Sequence, residues 1–219
     1  MGRIDIICSH LPAADVFADV GCDHGYCTQY MLHNGLCRTA YISDISAESL
    51  KKAETLLSRE VKEGRCIPVV ADGLQGVASC DLVLIAGMGG EEIVHILKEG
   101  YLPKKFVLQP MKNTEKVRRY LVEQGARITK DFTFEDGKFY DLIVGECAEE
   151  GDSYTDWEYK FGRDNLLSPS PAFLKWVKQE KGKLDSRLLA PAMKRESREE
   201  LRQKRYELEV ILDALEGDV

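Results

Sequence analysis

The segment Ala18-Asp19-Val20-Gly21-Cys22-Asp23-His24-Gly25-Tyr26 narrows what this chain can fold into more than any other. Residues 16–20 read as a buried strand, 21–25 as a tight turn and 26–33 as a helix, an order that aims the first backbone N–H groups of the helix at a ligand. The next apolar run closes on Asp44, with Ile45 beside it, and an acid at that strand tip is placed to accept hydrogen bonds from a ribose diol. Together these features predict a nucleoside site at the carboxyl edge of an α/β sheet. The alternative for the turn taken alone is a strand-to-helix connection with a capping Asp.

The spacing argues against a dinucleotide. A Gly-x-Gly-x-x-Gly loop is missing, because only Gly21 and Gly25 are glycines and Asp23 stands between them. The string resembles the first motif of class I S-adenosylmethionine-dependent methyltransferases, acid-x-Gly-x-Gly-x-Gly, with the central Gly replaced by Asp23. A carboxylate there suits a sulfonium ligand and would repel a pyrophosphate.

Apolar runs near 16–20, 39–43, 66–70, 81–86, 104–108, 127–134 and 139–147 alternate with amphipathic stretches near 26–34, 46–60, 89–99 and 113–124. This pattern predicts an α/β fold of doubly wound type. The last two strands are joined by Phe134-Glu135-Asp136-Gly137-Lys138, a hairpin-like turn, so one edge should be antiparallel. Seven strands ending in such a hairpin is the arrangement of a Rossmann-like methyltransferase sheet. Past residue 150 the pattern turns helical: a helix from about 171 to 190 after Ser168-Pro169-Ser170-Pro171, an interruption at Pro191, and a helix from about 193 to 216 with Leu201, Leu208 and Leu215 seven apart. Two such seams predict an antiparallel helix pair or short coiled coil. The expected division is therefore a ligand-binding domain over 1–150 and a helical appendage over 151–219.

A chain of 219 residues with 44% hydrophobic content can build one medium core plus that appendage. The longest apolar stretch, Leu82 to Met88, is too short to span a bilayer, and the opening residues lack a basic start followed by a long apolar run. Seven cysteines without a Cys-x-x-Cys pair read as reduced thiols in a cytoplasm, with no metal site. The net charge of −7 excludes a protein that coats nucleic acid with its whole surface, yet residues 172–205 hold eleven basic and five acidic side chains. That segment is either a phosphate-binding arm or a solvated helix face.

Further motifs fall at strand ends. Asp72-Gly73-Leu74 follows the third strand, where the carboxylate can accept an adenine amino group and Gly73 can let the backbone approach the ring. Ala86-Gly87-Met88-Gly89-Gly90 ends the fourth strand, leaving room for a flat ligand and a helix N-terminus beside it. No Asn or Asp followed by Pro-Pro-aromatic stands there, which argues against methylation of an exocyclic amine. Gln109 closes the fifth strand before Pro110, as a donor and acceptor for a substrate or as a helix boundary.

Val20-Gly21-Cys22-Asp23-His24-Gly25-Tyr26, Ala71-Asp72-Gly73-Leu74, Ala86-Gly87-Met88-Gly89-Gly90, Leu108-Gln109-Pro110 and Lys138-Phe139-Tyr140-Asp141 together resemble the bacterial tRNA (adenine-22) N1-methyltransferase family, TrmK, over residues 3–147. The resemblance implies transfer of methyl from S-adenosyl-L-methionine to N1 of an adenine in tRNA, by a Rossmann-like domain with a coiled-coil C-terminal domain. The cofactor contacts it implies are Gly21, Cys22, Asp23, Gly25, Asp44, Ile45, Asp72, Gly73, Leu74, Ala86, Gly87 and Met88. Asp23 is the expected stabiliser of charge developing on the base, with His24 and Gln109 as alternatives near the methyl. N1 lies on the pairing edge of the base, so the target must leave its stack; Tyr26 or Tyr140 would supply a stacking face, and Lys194, Arg195, Arg198 and Arg202 would grip phosphates. A methyltransferase acting on a small molecule or a protein, or a non-catalytic adenosyl-binding module, are the rival readings.

Overall fold

The computed structural model describes residues 2–189 and 195–216. Seven strands, β1 (Val16–Val20), β2 (Thr39–Asp44), β3 (Cys66–Val70), β4 (Leu82–Met88), β5 (Lys105–Pro110), β6 (Ala126–Asp136) and β7 (Lys138–Cys147), form one sheet in the order β3-β2-β1-β4-β5-β7-β6. Strands β1 to β5 are parallel to their neighbours, while β7 runs antiparallel to both β5 and β6. The order reverses between β1 and β4, and this switch point is where open α/β sheets leave a crevice at their carboxyl edge. Asp19, Val20 and Asp44 end at that edge because the register pairs Val20 with Ser43 on one side and with Ile85 on the other.

The helices among the described residues are α1 (Arg3–Ser9), α2 (Tyr26–His33), α3 (Ala47–Leu56), α4 (Ser58–Lys62), α5 (Gly90–Glu99), α6 (Thr114–Glu123), α7 (Asp156–Phe161), α8 (Arg163–Leu167), α9 (Pro171–Leu188) and α10 (Arg195–Glu216). The expected single helix over 46–60 is two, divided at Leu57, whose side chain is fully buried under the sheet. Three helices were not anticipated: α1, α7 and α8. The first carries Ile4, Ile7 and Cys8 at helical spacing, and the second opens on a Thr155 to Glu158 capping box, so both were legible.

One face of the sheet packs Phe17, Ile42, Leu84 and Val107 against α1 to α4; the other packs Ile85, Phe106, Leu108 and Ile143 against α5 and α6. A third cluster, Phe161, Phe173, Val177, Leu208 and Ile211, joins α7, α9 and α10. The last two helices are the expected pair, and Leu201 and Leu208 are buried while Leu215 packs at the margin. The helical part is docked on β6 through a buried hub. Arg118 of α6, fully buried, donates from Nε to both carboxylate oxygens of Asp131 at 2.9 Å and from Nη1 to the backbone carbonyls of Tyr159 and Lys160 at 3.2 Å. Tyr154 Oη (3.2 Å) and the Arg163 amide (3.3 Å) complete the shell of Asp131.

Candidate functional site

The turn after β1 has the shape the motif requires, and the reason is conformational. Gly21, Asp23 and Gly25 all have positive φ, at 69°, 45° and 75°. Asp23 is therefore the residue that replaces a glycine, in a left-handed conformation that Asp tolerates better than most side chains. A Cβ on Gly21 would meet only the flexible end of Met88, so the demand for glycine there comes from its backbone conformation. The amides of Gly21 (2.8 Å) and Cys22 (3.1 Å) both donate to the Ser43 carbonyl, and that of Gly25 to Cys22 (2.8 Å). Those three N–H groups hold the turn, ahead of the first amides of α2.

A cleft of about 490 Å³ opens over this turn. Its lining includes Asp19, Gly21, Cys22, Asp23, His24, Tyr26, Asp44, Ala86, Gly87 and Met88, so most of the expected contacts meet in one place. Three carboxylates, Asp19, Asp23 and Asp44, face one cationic side chain, Arg3. Asp19 is buried under the floor, where Thr28 donates to it through its hydroxyl at 2.8 Å and through its backbone N–H. Desolvation pushes its carboxyl up to about 6, against those two hydrogen bonds. Asp44 accepts from the Ser46 amide at 2.8 Å, which orients the carboxylate at the β2 tip. Asp23 and His24 are exposed and joined, Oδ2 to Nδ1, at 2.8 Å, and the His24 ring stacks parallel to Tyr26 with centroids 5.6 Å apart. Burial raises the Cys22 thiol well above its ordinary value, so it lines the cleft as a neutral group.

Four of the expected positions are also used by the fold or lie outside the cleft lining. Gln109 is fully buried and does not line the cleft: its Oε1 accepts from Arg3 Nη1 and its Nε2 donates to the Pro110 carbonyl, both at 3.0 Å. It positions Arg3 and has no group left for a reacting atom. Gly73 and Leu74 belong to the packing, since a Cβ on Gly73 would meet Ile96 at 2.9 Å and Leu74 is buried in the second core cluster. Ser43 Oγ donates to the Gly73 carbonyl at 3.0 Å, which sets the exposed Asp72 beside the β2 tip, while the Ile45 side chain is exposed and outside the lining. At the start of α5 the Gly90 amide donates to the Lys112 carbonyl at 2.8 Å, and a Cβ there would meet the Asn113 carbonyl oxygen, so the first residue of that helix serves the packing.

Arg3 is the residue that sequence reasoning missed. Its amide donates to Asp136 at 2.7 Å, and its guanidinium lies 5.7 Å from the Tyr140 ring centroid. Tyr140 also stacks on Phe134 at 5.5 Å, so its ring is engaged from two sides, whereas Tyr26, stacked on His24, remains half exposed. Of the four basic residues, Lys194 lies outside the described residues, Arg195 begins α10, Arg198 is engaged within the fold and Arg202 is exposed. Much of the segment's charge is matched locally: Lys175 with Glu135, Lys183 with Glu180, and Lys181 and Arg205 with Asp185. Among the described residues no cluster fit for a metal ion occurs, and no helix is long and apolar enough to cross a membrane.

A family described as a methyltransferase domain matches residues 1–143. The chain belongs to this family. That stretch of the methyltransferase domain holds β1 to β5, all of the cleft's lining residues and most of the closing hairpin. The chain is 28% identical over 159 residues to the tRNA (adenine(22)-N(1))-methyltransferase of Bacillus subtilis, a stretch covering 69% of this chain and 67% of that one. It is 32% identical over 133 residues to a Mycoplasma pneumoniae protein, of whose length it spans 61%. M. capricolum TrmK, solved with S-adenosyl-homocysteine, superposes with a TM-score of 0.88 over 97% of both chains at 20% identity, so the fold extends through the C-terminal helices.

Proposed function

We propose that the protein is an S-adenosyl-L-methionine-dependent tRNA methyltransferase acting on N1 of adenine 22. The observation that carries this is the charge sorting of the cleft: three carboxylates against one guanidinium, at the switch point of a methyltransferase sheet. S-adenosyl-L-methionine has a carboxylate, an ammonium and a sulfonium, and the cleft offers Arg3 to the first and acids to the other two. Asp44 would hold the ribose diol. The names of the Bacillus relative and of M. capricolum TrmK support the same cofactor and substrate.

When bound, the cofactor supplies an electrophilic methyl group. The adenine N1 lone pair forms the new bond while the sulfur keeps the electron pair of the broken one, so no activated nucleophile is required and alignment is the main task. In this reading Asp23 would stabilise the positive charge that develops on the base, and His24, paired with it at 2.8 Å, would pass on the proton lost from the amino group. Tyr26, with one face stacked on His24, would offer its other face to an unstacked adenine. The helical part over 151–219 is assigned as a second, RNA-facing domain.

The experiment is incubation with radiolabelled S-adenosyl-L-methionine and bulk bacterial tRNA, followed by digestion and nucleoside identification. Label in 1-methyladenosine is expected; cofactor binding without label in any RNA would return the protein to a small-molecule or protein substrate, or to a binding module. Two further outcomes test the cofactor assignment by calorimetry. Asp44→Ala should weaken cofactor binding by about 10- to 100-fold, the worth of a hydrogen bond to a charged group, and an unchanged Kd removes Asp44 from the ribose. A cationic ligand favours ionised Asp19, so cofactor affinity should rise with pH through about 6 and fall by up to about tenfold per pH unit below it. Asp19→Asn should flatten that dependence.

A further inference from the structure

A second cavity of about 320 Å³ lies where the helical part meets the carboxyl edge of β5 and the start of β7. Met111 lines both this cavity and the cleft, so they are neighbours across one side chain. Resting on the RNA reading above, we propose that it is a nucleotide subsite that receives a base of the RNA adjacent to the acceptor adenine.

The walls have the properties a nucleobase needs. Phe139 and Trp176 present half-buried rings, and Trp176 is held by Phe173 stacked at 5.7 Å and by the edge of Phe161 at 6.3 Å. A fixed aromatic wall is sequence-tolerant, because every base has a π-face. The floor carries one oriented acceptor: Asp141 takes a hydrogen bond from Thr133 Oγ1 at 2.7 Å, and its other oxygen lies 3.7 Å from Arg118 Nη2. That buried guanidinium nitrogen also lies 2.9 Å from an Asp131 oxygen, so its charge backs both carboxylates, and Asp141 lines the cavity. At the rim, Lys112 is exposed and makes no ion pair among the described residues, while Lys160 is paired with Glu207 at 2.6 Å. Asn113, Thr114 and Glu115 also line the cavity, with Glu115 held by Arg119 at 2.9 Å, and an aromatic slot with polar acceptors and the exposed Lys112 matches a base, its amino or imino edge and its phosphate.

The test compares the full-length protein with Phe139→Ala, Phe139→Trp and Lys112→Ala, reading tRNA Kd, cofactor Kd, methyl transfer and thermal midpoint. Phe139→Ala should raise the tRNA Kd about tenfold at unchanged cofactor Kd, and Phe139→Trp should restore it, as stacking predicts. Lys112→Ala, at an exposed position with no bearing on folding, should reduce the slope of log K against log salt by about one. Wild-type tRNA binding in both Phe139→Ala and Lys112→Ala, with RNA still methylated, overturns the subsite alone. A wild-type protein that neither binds nor methylates RNA overturns the RNA reading and the subsite with it.

Discussion

Arg118→Met should destabilise the fold by about 3–5 kcal/mol, measured by urea denaturation at neutral pH, because it leaves a buried carboxylate without its counter-ion. Asp131 is 1% exposed, and after the substitution it retains only the Tyr154 hydroxyl and the Arg163 amide as donors. The carbonyls of Tyr159 and Lys160 lose their donor at the same time, so α7 loses its tie to α6. Burial already raises the Asp131 carboxyl above its ordinary value, with Arg118 opposing. Without the guanidinium that rise grows, and a carboxyl with a raised folded pKa loses stability as pH climbs past its unfolded value. The deficit should therefore be largest at neutral pH and shrink on acidification. The double variant Arg118→Met/Asp131→Leu should recover part of the loss, since an apolar pair of similar volume replaces the ions. A single-variant loss below about 1 kcal/mol would mean that water reaches the hub.

Asp23→Asn should lower kcat by about 100- to 1000-fold, well beyond any weakening of the cofactor Kd, if the carboxylate stabilises charge on the base. Asn is the informative replacement because residue 23 sits at φ 45°, a conformation Asn accepts and Ala resists. Asp23→Ala would mix lost charge with backbone strain in the turn that forms the cleft. Single-turnover methylation of tRNA separates the outcomes: a retained rate removes Asp23 from the chemistry and turns attention to His24, 2.8 Å away.

The sheet was legible because each strand is a short apolar run closed by a turn residue, and every one of the seven falls within three residues of where periodicity puts it. The antiparallel edge was legible from Gly137 and its acidic neighbours, which leave no length for a crossover helix between β6 and β7. The acids of the cleft followed from strand-tip position. What failed was the reading of small and amphipathic residues whose role depends on a distant partner. Gly73 and Gly90 suggest open space in sequence, but Ile96 and the Asn113 carbonyl fill it. Gln109 offers a donor and an acceptor that are both spent inside the fold, one of them on an arginine 106 positions earlier. Nothing in local periodicity announces that Arg3 returns to the mouth of the cleft. The basic segment illustrates the converse, because a count of charges takes no account of Glu135, Glu180 and Asp185, which neutralise several of them.

The tie between Arg3 and the β6–β7 turn has a consequence during synthesis. The guanidinium waits for Gln109, and its backbone amide for Asp136, 133 positions downstream. A nascent chain can pair β1, β2, β3 and β4 long before either partner leaves the ribosome, yet its cleft will lack a front wall until the hairpin is complete. Cofactor capture therefore reports on the whole sheet, and a truncated product that stops before β6 carries the acids of the site without the means to close it.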